Sequence, residues 1–219
     1  MGLLNALSIY FEQRDRTSKI SPEDELNEQL IEAAKVGNLL EVKRLVAHGA
    51  NIHAFDYRAL YNTLRWAAIN GHLEIVKFLV VKGADIHAGD EGALRWAASE
   101  GHIEVVKFLV AQGADIHADD DDALRVAASW GHLDIVKFLV EKGADIHAGN
   151  EDALKWAAYN GRLDVVEFLL EKGAPIDVAK GQSPDAVKDF CRAYELRKML
   201  DAKIQQSTPT KPKSARLKI

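Results

Sequence analysis

From residue 64 onward, apolar and polar residues alternate along the chain in a pattern that returns every 30 positions. Leu64-Arg65-Trp66-Ala67-Ala68 recurs as Leu94-Arg95-Trp96-Ala97-Ala98, as Leu124-Arg125-Val126-Ala127-Ala128, and as Leu154-Lys155-Trp156-Ala157-Ala158. A second block keeps step with it. Gly71-His72-Leu73-Glu74-Ile75-Val76-Lys77-Phe78-Leu79-Val80 has counterparts beginning at Gly101, Gly131 and Gly161. A third, Gly83-Ala84-Asp85-Ile86-His87-Ala88, has counterparts at Gly113 and Gly143. A weaker copy lies upstream, in Leu30-Ile31-Glu32-Ala33-Ala34 and Glu41-Val42-Lys43-Arg44-Leu45-Val46, 34 residues before the next. The first connection is therefore longer than the others.

Each unit predicts two helices. The first is short and carries an Ala pair, whose small side chains let neighbouring helices approach closely. Gly101 stands where a helix-ending left-handed residue is needed. In the second helix Ile103, Val106, Leu109 and Val110 fall at helical spacing, with Glu104 and Lys107 turned outward. Gly113 ends that helix, and Ala114-Asp115-Ile116-His117 turns to the next unit. One unit cannot bury its apolar face alone, so stacking must supply the core. The expected fold is all-α, a stack of helix-turn-helix units. Trp66, Trp96 and Trp156 are expected in the shared core, a cage of stacked indoles around a ligand being the alternative.

These blocks resemble the ankyrin repeat, with its Leu-x-x-Ala-Ala, Gly-His and Gly-Ala-Asp signatures. The resemblance covers residues 26–179 in five copies. It implies a solenoid with short β-turn fingers that binds another protein through a concave face and those fingers. Three departures stand out. The family's Thr-Pro pair is replaced by Gly92-Ala93, Asp122-Ala123 and Asp152-Ala153. Its His position holds Arg65, Arg95, Arg125 and Lys155. The period is short, with the missing residues between Ala88 and Leu94, so the inner fingers should be stubby. This short-finger style looks similar to the ankyrin arrays of giant DNA viruses of amoebae, which would make the chain a viral protein acting on a host factor.

Outside the repeats, residues 1–20 place Leu3, Leu4, Leu7, Tyr10 and Phe11 on one helical face. This N-terminal amphipathic helix could dock on the array, self-associate, or insert into a partner or membrane surface. Ser21-Pro22 reads as a helix start for the array over 21–179. Ser183-Pro184-Asp185 opens an expected helix pair forming a polar cap over 180–205. Residues 206–219 hold Lys211, Lys213, Arg216 and Lys218 with no acid and read as a disordered basic tail.

Composition narrows the function. The net charge of −5 opposes a sequence-blind grip on nucleic acid. A single cysteine, Cys191, excludes a disulfide scaffold and fits a cytoplasmic location. No apolar run approaches the roughly 18 residues of a bilayer span. The start lacks a secretory pattern, and Ala6 breaks the myristoylation motif. Of the eight histidines, His72, His102 and His132 form one ladder and His53, His87, His117 and His147 another. Stacked helices lie about 8–10 Å apart, too far for one ladder to surround a metal ion. The Asp119–Asp122 run lacks the spacing of a calcium loop. No nucleophile motif or phosphate loop is present. No catalytic, cofactor or metal residue is therefore expected.

Partner-binding residues are expected where the repeat is broken. After each Ala pair stand Asn70, Glu100, Trp130 and the pair Tyr159-Asn160, which the family resemblance turns toward the groove. Trp130 is the leading anchor, because exposed aromatics carry binding energy, and Tyr159 is next. The long first connection supplies Phe55, Tyr57, Arg58 and Tyr61. The short ones supply Asp90, Glu91, Asp120, Asp121, Asn150 and Glu151, an acidic row suited to a protein with a basic or mixed patch. Pairing of that row with Arg65, Arg95, Arg125 and Lys155 is the competing expectation.

Overall fold

Ser21 opens the first helix because its hydroxyl accepts from the Asp24 N–H at 3.0 Å and Pro22 follows with its φ already helical. This is a computed structural model, and it describes residues 21–53, 55, 56, 61–181 and 183–207. The expected helix over residues 1–20 lies outside the described residues, as do 208–219 of the tail. Among the described residues there are twelve helices and one two-stranded hairpin. They are α1 (Pro22–Lys35), α2 (Leu39–Ala47), β1 (Phe55–Asp56), β2 (Tyr61–Asn62), α3 (Thr63–Ile69), α4 (Leu73–Val81), α5 (Ala88–Ser99) and α6 (Ile103–Ala111). There follow α7 (Ala118–Trp130), α8 (Leu133–Glu141), α9 (Ala148–Tyr159), α10 (Leu163–Glu171), α11 (Ile176–Lys180) and α12 (Asp185–Ser207).

The chain divides into two compact units, Met1–Ala114 and Asp115–Ile219. Within the first, α1 packs on α2 and α3, α3 on α4 and α5, and α5 on α6. Within the second, α7 packs on α8 and α9, and α9 on α10 and α11. Each helix pair buries the same set. Leu64, Ala67 and Ala68 are at most 2% exposed, and Ile75, Val76 and Leu79 at most 1%. Leu154, Ala157, Ala158, Val165, Val166 and Leu169 repeat this in the second unit, all fully buried. Residues at i, i+3 and i+4 share one helical face. Each fully buried Leu, Ile or Val contributes roughly 1.5–3 kcal/mol.

The glycine–histidine junction has a mechanical role. Gly71 lies at φ +71, and a Cβ there would sit 2.5 Å from the His102 ring. That ring lies so close because its Nε2 donates to the Ile69 carbonyl at 2.8 Å, tying one unit to the C-terminus of the preceding short helix. His72 makes the same bond to Lys35 at 2.9 Å. Arg162 replaces the histidine in the last copy, and its Nε donates to the Ser129 carbonyl at 3.1 Å. The other turn is closed by aspartate. Asp85, Asp115 and Asp145 each accept from the N–H two residues on, at 2.9 Å.

The short fingers are left-handed turns. Residues 89–91, 119–121 and 149–151 all have positive φ, and seven of the nine are not glycine. Right-handed helix resumes at Gly92, Asp122 and Asp152. Two expectations are corrected here. Glu91 and Asp121 do not project toward a partner: they are 6% and 5% exposed, because three left-handed residues wind the third side chain back inward. Each lies against the ring of its own turn, with His87 Nδ1 on Glu91 and His117 Nδ1 3.1 Å from Asp121. Glu151 is half-buried, 2.7 Å from His147 Nδ1. Asp121 also accepts from the Asp145 N–H at 3.1 Å, where Asn27 accepts from Asn51 at 2.8 Å in the first unit.

Two more corrections concern the tryptophans and the C-terminal region. Trp156 is 42% exposed, and Trp66 and Trp96 are only half-buried, so they border the core rather than fill it. The helix pair expected after Ser183 is one 23-residue helix, α12, since no Gly or Pro interrupts 185–207.

Candidate partner-binding face

Trp130 ends α7 because Gly131 follows at φ 86, a left-handed cap. Its ring is 58% exposed. On α9, Trp156 and Tyr159 sit three residues apart on one face, with ring centroids 5.9 Å apart and planes at 79°, an edge-to-face pair. Tyr159 is 58% exposed. Asn160 fixes the arrangement: its Nδ2 donates to Ser129 Oγ at 3.0 Å and to the Trp156 carbonyl at 2.9 Å, linking α9 to α7. Both cations on these helices are paired. Arg125 Nε donates to Asp122 at 2.6 Å, and Lys155 lies 3.4 Å from Asp152. The second unit thus presents aromatic surface flanked by neutralised pairs.

The first unit is different in kind. Asn70 is exposed and donates to the Trp66 carbonyl at 2.9 Å. Lys35 Nζ stands 4.4 Å from the Trp66 ring centroid, a cation–π contact. Glu100 is exposed at the equivalent position of the next repeat, and Val36, after the first Ala pair, is 64% exposed. A cavity of about 350 Å³ is lined by Ile52, His53, Asn62, Leu64, Arg65 and Asp85. Arg65 is 8% exposed and donates to the Ala88 and Gly89 carbonyls at 3.4 and 3.3 Å. A Cβ at Gly89 or Gly92 would collide with that guanidinium, so the glycines admit it. The arginine position therefore serves packing in this unit.

Of the finger residues, Asp90, Asp120 and Asn150 are exposed. β1 pairs antiparallel with β2, Phe55 opposite Asn62 and Asp56 opposite Tyr61. The side chains of Phe55 and Tyr61, and all of Tyr57 and Arg58, lie outside the described residues. Trp156 is the functional candidate that sequence reasoning missed. Its signal was available: Leu154 and Ala157 face the core, and a residue two positions from Leu154 cannot share that face. Among the described residues no three His, Cys, Asp or Glu side chains gather as metal ligands.

A family model described as ankyrin repeats, in three copies, matches residues 17–90, 64–150 and 94–180. The chain is an ankyrin-repeat protein. Ankyrin repeats are in general protein–protein interaction modules and are typically not enzymes. No curated protein matches the chain. The ankyrin assignment accounts for the all-α helix pairs, the Gly-His junctions and the Gly-Ala-Asp turns. Among the described residues no helix is long and apolar enough to cross a membrane.

Proposed function

We propose that this ankyrin-repeat chain captures a partner protein on the first helices of its repeats, with Trp130, Trp156 and Tyr159 as the anchor. The observation that carries this reading is the exposure of three large rings on the first helices of two successive repeats, Trp130 and Tyr159 standing where the other repeats carry smaller or polar residues. Exposed indole and phenol rings held on rigid helices lose little entropy on binding and dominate interface energetics. Asn160 borders these rings, Asn70 and Glu100 are further polar contact positions in the first unit, and the exposed finger residues Asp90, Asp120 and Asn150 suit a basic or mixed patch. Phe55, Tyr57, Arg58 and Tyr61 of the long connection are the second contact zone. Residues 21–179 do the binding, and 180–205 close the array. The short-finger likeness to arrays of giant amoebal viruses supports a host protein as the target and the cytoplasm as the place. The negative net charge speaks against nucleic acid as the target.

Trp130→Ala combined with Tyr159→Ala tests it. Tagged wild-type and double-variant chains are used side by side for affinity capture and mass spectrometry. A partner held by the wild type should bind the variant at least about 30-fold more weakly, since hot-spot truncation costs about 2 kcal/mol or more. Melting should be unchanged, because both rings are mostly exposed. Equal binding by both chains sinks the aromatic anchor.

A further inference from the structure

Equivalent tryptophans in the two units are finished differently. In the first unit α1 packs on α3, and Lys35 at the end of α1 holds its ammonium over the Trp66 ring, 4.4 Å from the centroid. Lys35 is the residue that follows the Ala33-Ala34 pair. In the second unit α7 packs on α9, and Trp156 takes the place of Trp66. The residue after the Ala127-Ala128 pair is now Ser129. Its side chain ends one atom beyond Cβ, and its Oγ accepts from Asn160 Nδ2 at 3.0 Å. It can lay no cation over the neighbouring indole. Trp156 is accordingly exposed where Trp66 is half-buried.

Charge points to the same kind of occupant. In the second unit the turns, fingers and first helices over 115–130 and 145–160 carry eight acids against two bases, a net of −6. The second helices with their closing turns, 131–144 and 161–174, carry five acids against four bases, a net of −1. Acidity is thus concentrated on the elements that bear the rings. Arg125 and Lys155 are already paired with Asp122 and Asp152, and Asp121 and Glu151 lie against His117 and His147. Asp115, Asp120 and Asp145 are exposed and form no ion pair among the described residues. An anionic partner would be repelled by these carboxylates, and a neutral one would gain nothing from them. An ammonium or guanidinium gains twice, from the indole face and from the acids around it.

We infer that the aromatic face receives a lysine or arginine side chain from a basic segment of its partner, seated on Trp156 as Lys35 is seated on Trp66. Trp130 and Tyr159 border that side chain, and further basic residues of the segment meet Asp115, Asp120 and Asp145. The assignment rests on the reading of Trp130, Trp156 and Tyr159 as the anchor, and it names the chemistry that the anchor takes.

The chain has four tryptophans, so their indole N–H resonances in the full-length protein read the site directly. The probe is a peptide of repeated Lys-Gly-Arg-Gly, with a peptide of repeated Gln-Gly-Gln-Gly and equal length as the neutral control. The basic peptide should shift the Trp156 and Trp130 signals and leave Trp66, already under Lys35, unmoved. Ser129→Lys should place a cation of the chain's own over Trp156 and weaken peptide binding at least about threefold. Trp156→Leu, which keeps apolar bulk and loses the ring, should weaken it by about threefold to tenfold. In the Trp156→Leu background Ser129→Lys should weaken binding no further, since both changes remove the same contact. Unchanged melting and helical content would show that the variants fold. The inference falls if the basic peptide moves neither signal at millimolar concentration, or if the neutral peptide moves them equally. It falls if Ser129→Lys or Trp156→Leu binds as the wild type does. An undiminished effect of Ser129→Lys in the Trp156→Leu background would mean plain charge repulsion and would also overturn it. A captured partner lost by Trp130→Ala with Tyr159→Ala, yet held in full by Ser129→Lys, would leave the aromatic anchor standing and remove the cation.

Discussion

Single residues set the junctions between repeats. Gly71 combines a left-handed φ of +71 with a Cβ position already taken by the His102 ring. Gly71→Ala therefore meets two costs, about 1–2 kcal/mol of backbone strain and the displacement of a ring bonded to Ile69. A loss of roughly 2–4 kcal/mol in urea unfolding is expected. Gly113→Ala has the same sign of φ, +98, but meets nothing within 4 Å, so it should lose only the strain. A similar loss at both positions would remove the ring from the account. Cys191 is the other telling residue. It is fully buried, and burial pushes its thiol pKa above the ordinary 9.0, with Lys180 opposing in part. A raised folded pKa means that its contribution to stability is complete below pH 9.0 and is lost as pH climbs through the folded value. Two outcomes are expected. A thiol reagent at pH 8 should react at least about a hundredfold more slowly with the native chain than with the urea-unfolded one, because reaction waits for opening. Moving from pH 8 to pH 10 should lower the stability of wild type relative to Cys191→Ala, which has no thiol to titrate.

At the scale of elements, the left-handed turns replace what would otherwise be longer hairpin fingers. Three consecutive residues in the left-handed region are affordable because Gly, Asp and Asn fill most of these positions, and their side chains bond locally. Asp120 sits at φ 56 and is exposed. Asp120→Gly should raise stability by up to about 1 kcal/mol, the relief of left-handed strain less the entropy that glycine loses. Asp120→Val should lower it by about 1–3 kcal/mol, since a β-branched residue is poorest there. Chemical denaturation midpoints with unchanged slope would read both. These turns also show where sequence reasoning stops. Periodicity located the stubby fingers, because the shortened period leaves no room for a long hairpin. It could not show that Glu91 and Asp121 fold inward, since that depends on handedness at three successive residues and not on pattern. The C-terminal region was likewise half legible. Its helical character was plain, but the pair expected there is one unbroken α12, which leaves Leu196, Met199, Leu200 and Ile204 exposed among its polar residues.

For the molecule as a whole, repetition made the fold readable: every core position is stated four times, and Leu64, Leu94, Leu124 and Leu154 are all at most 2% exposed. The candidate site was less readable, because it consists of the positions where repetition fails. Trp130 stood out as a break in the pattern. Trp156 was concealed by matching Trp66 and Trp96, although its register, two residues from Leu154, places it off the buried face. The same repetition predicts how damage spreads. In a stacked array each repeat leans on its neighbours, so stability is close to a sum of repeat and interface contributions. Leu154 is fully buried on α9, which contacts α7, α10 and α11. Leu154→Ala should cost about 2–5 kcal/mol, the transfer loss plus a cavity that rigid flanking helices cannot close. Hydrogen exchange should show α7, α9, α10 and α11 losing protection together, as one cooperative unit. Protection lost in α9 alone would mean that the repeats do not share their core in this way, and the rigid platform on which Trp130, Trp156 and Tyr159 depend would be gone.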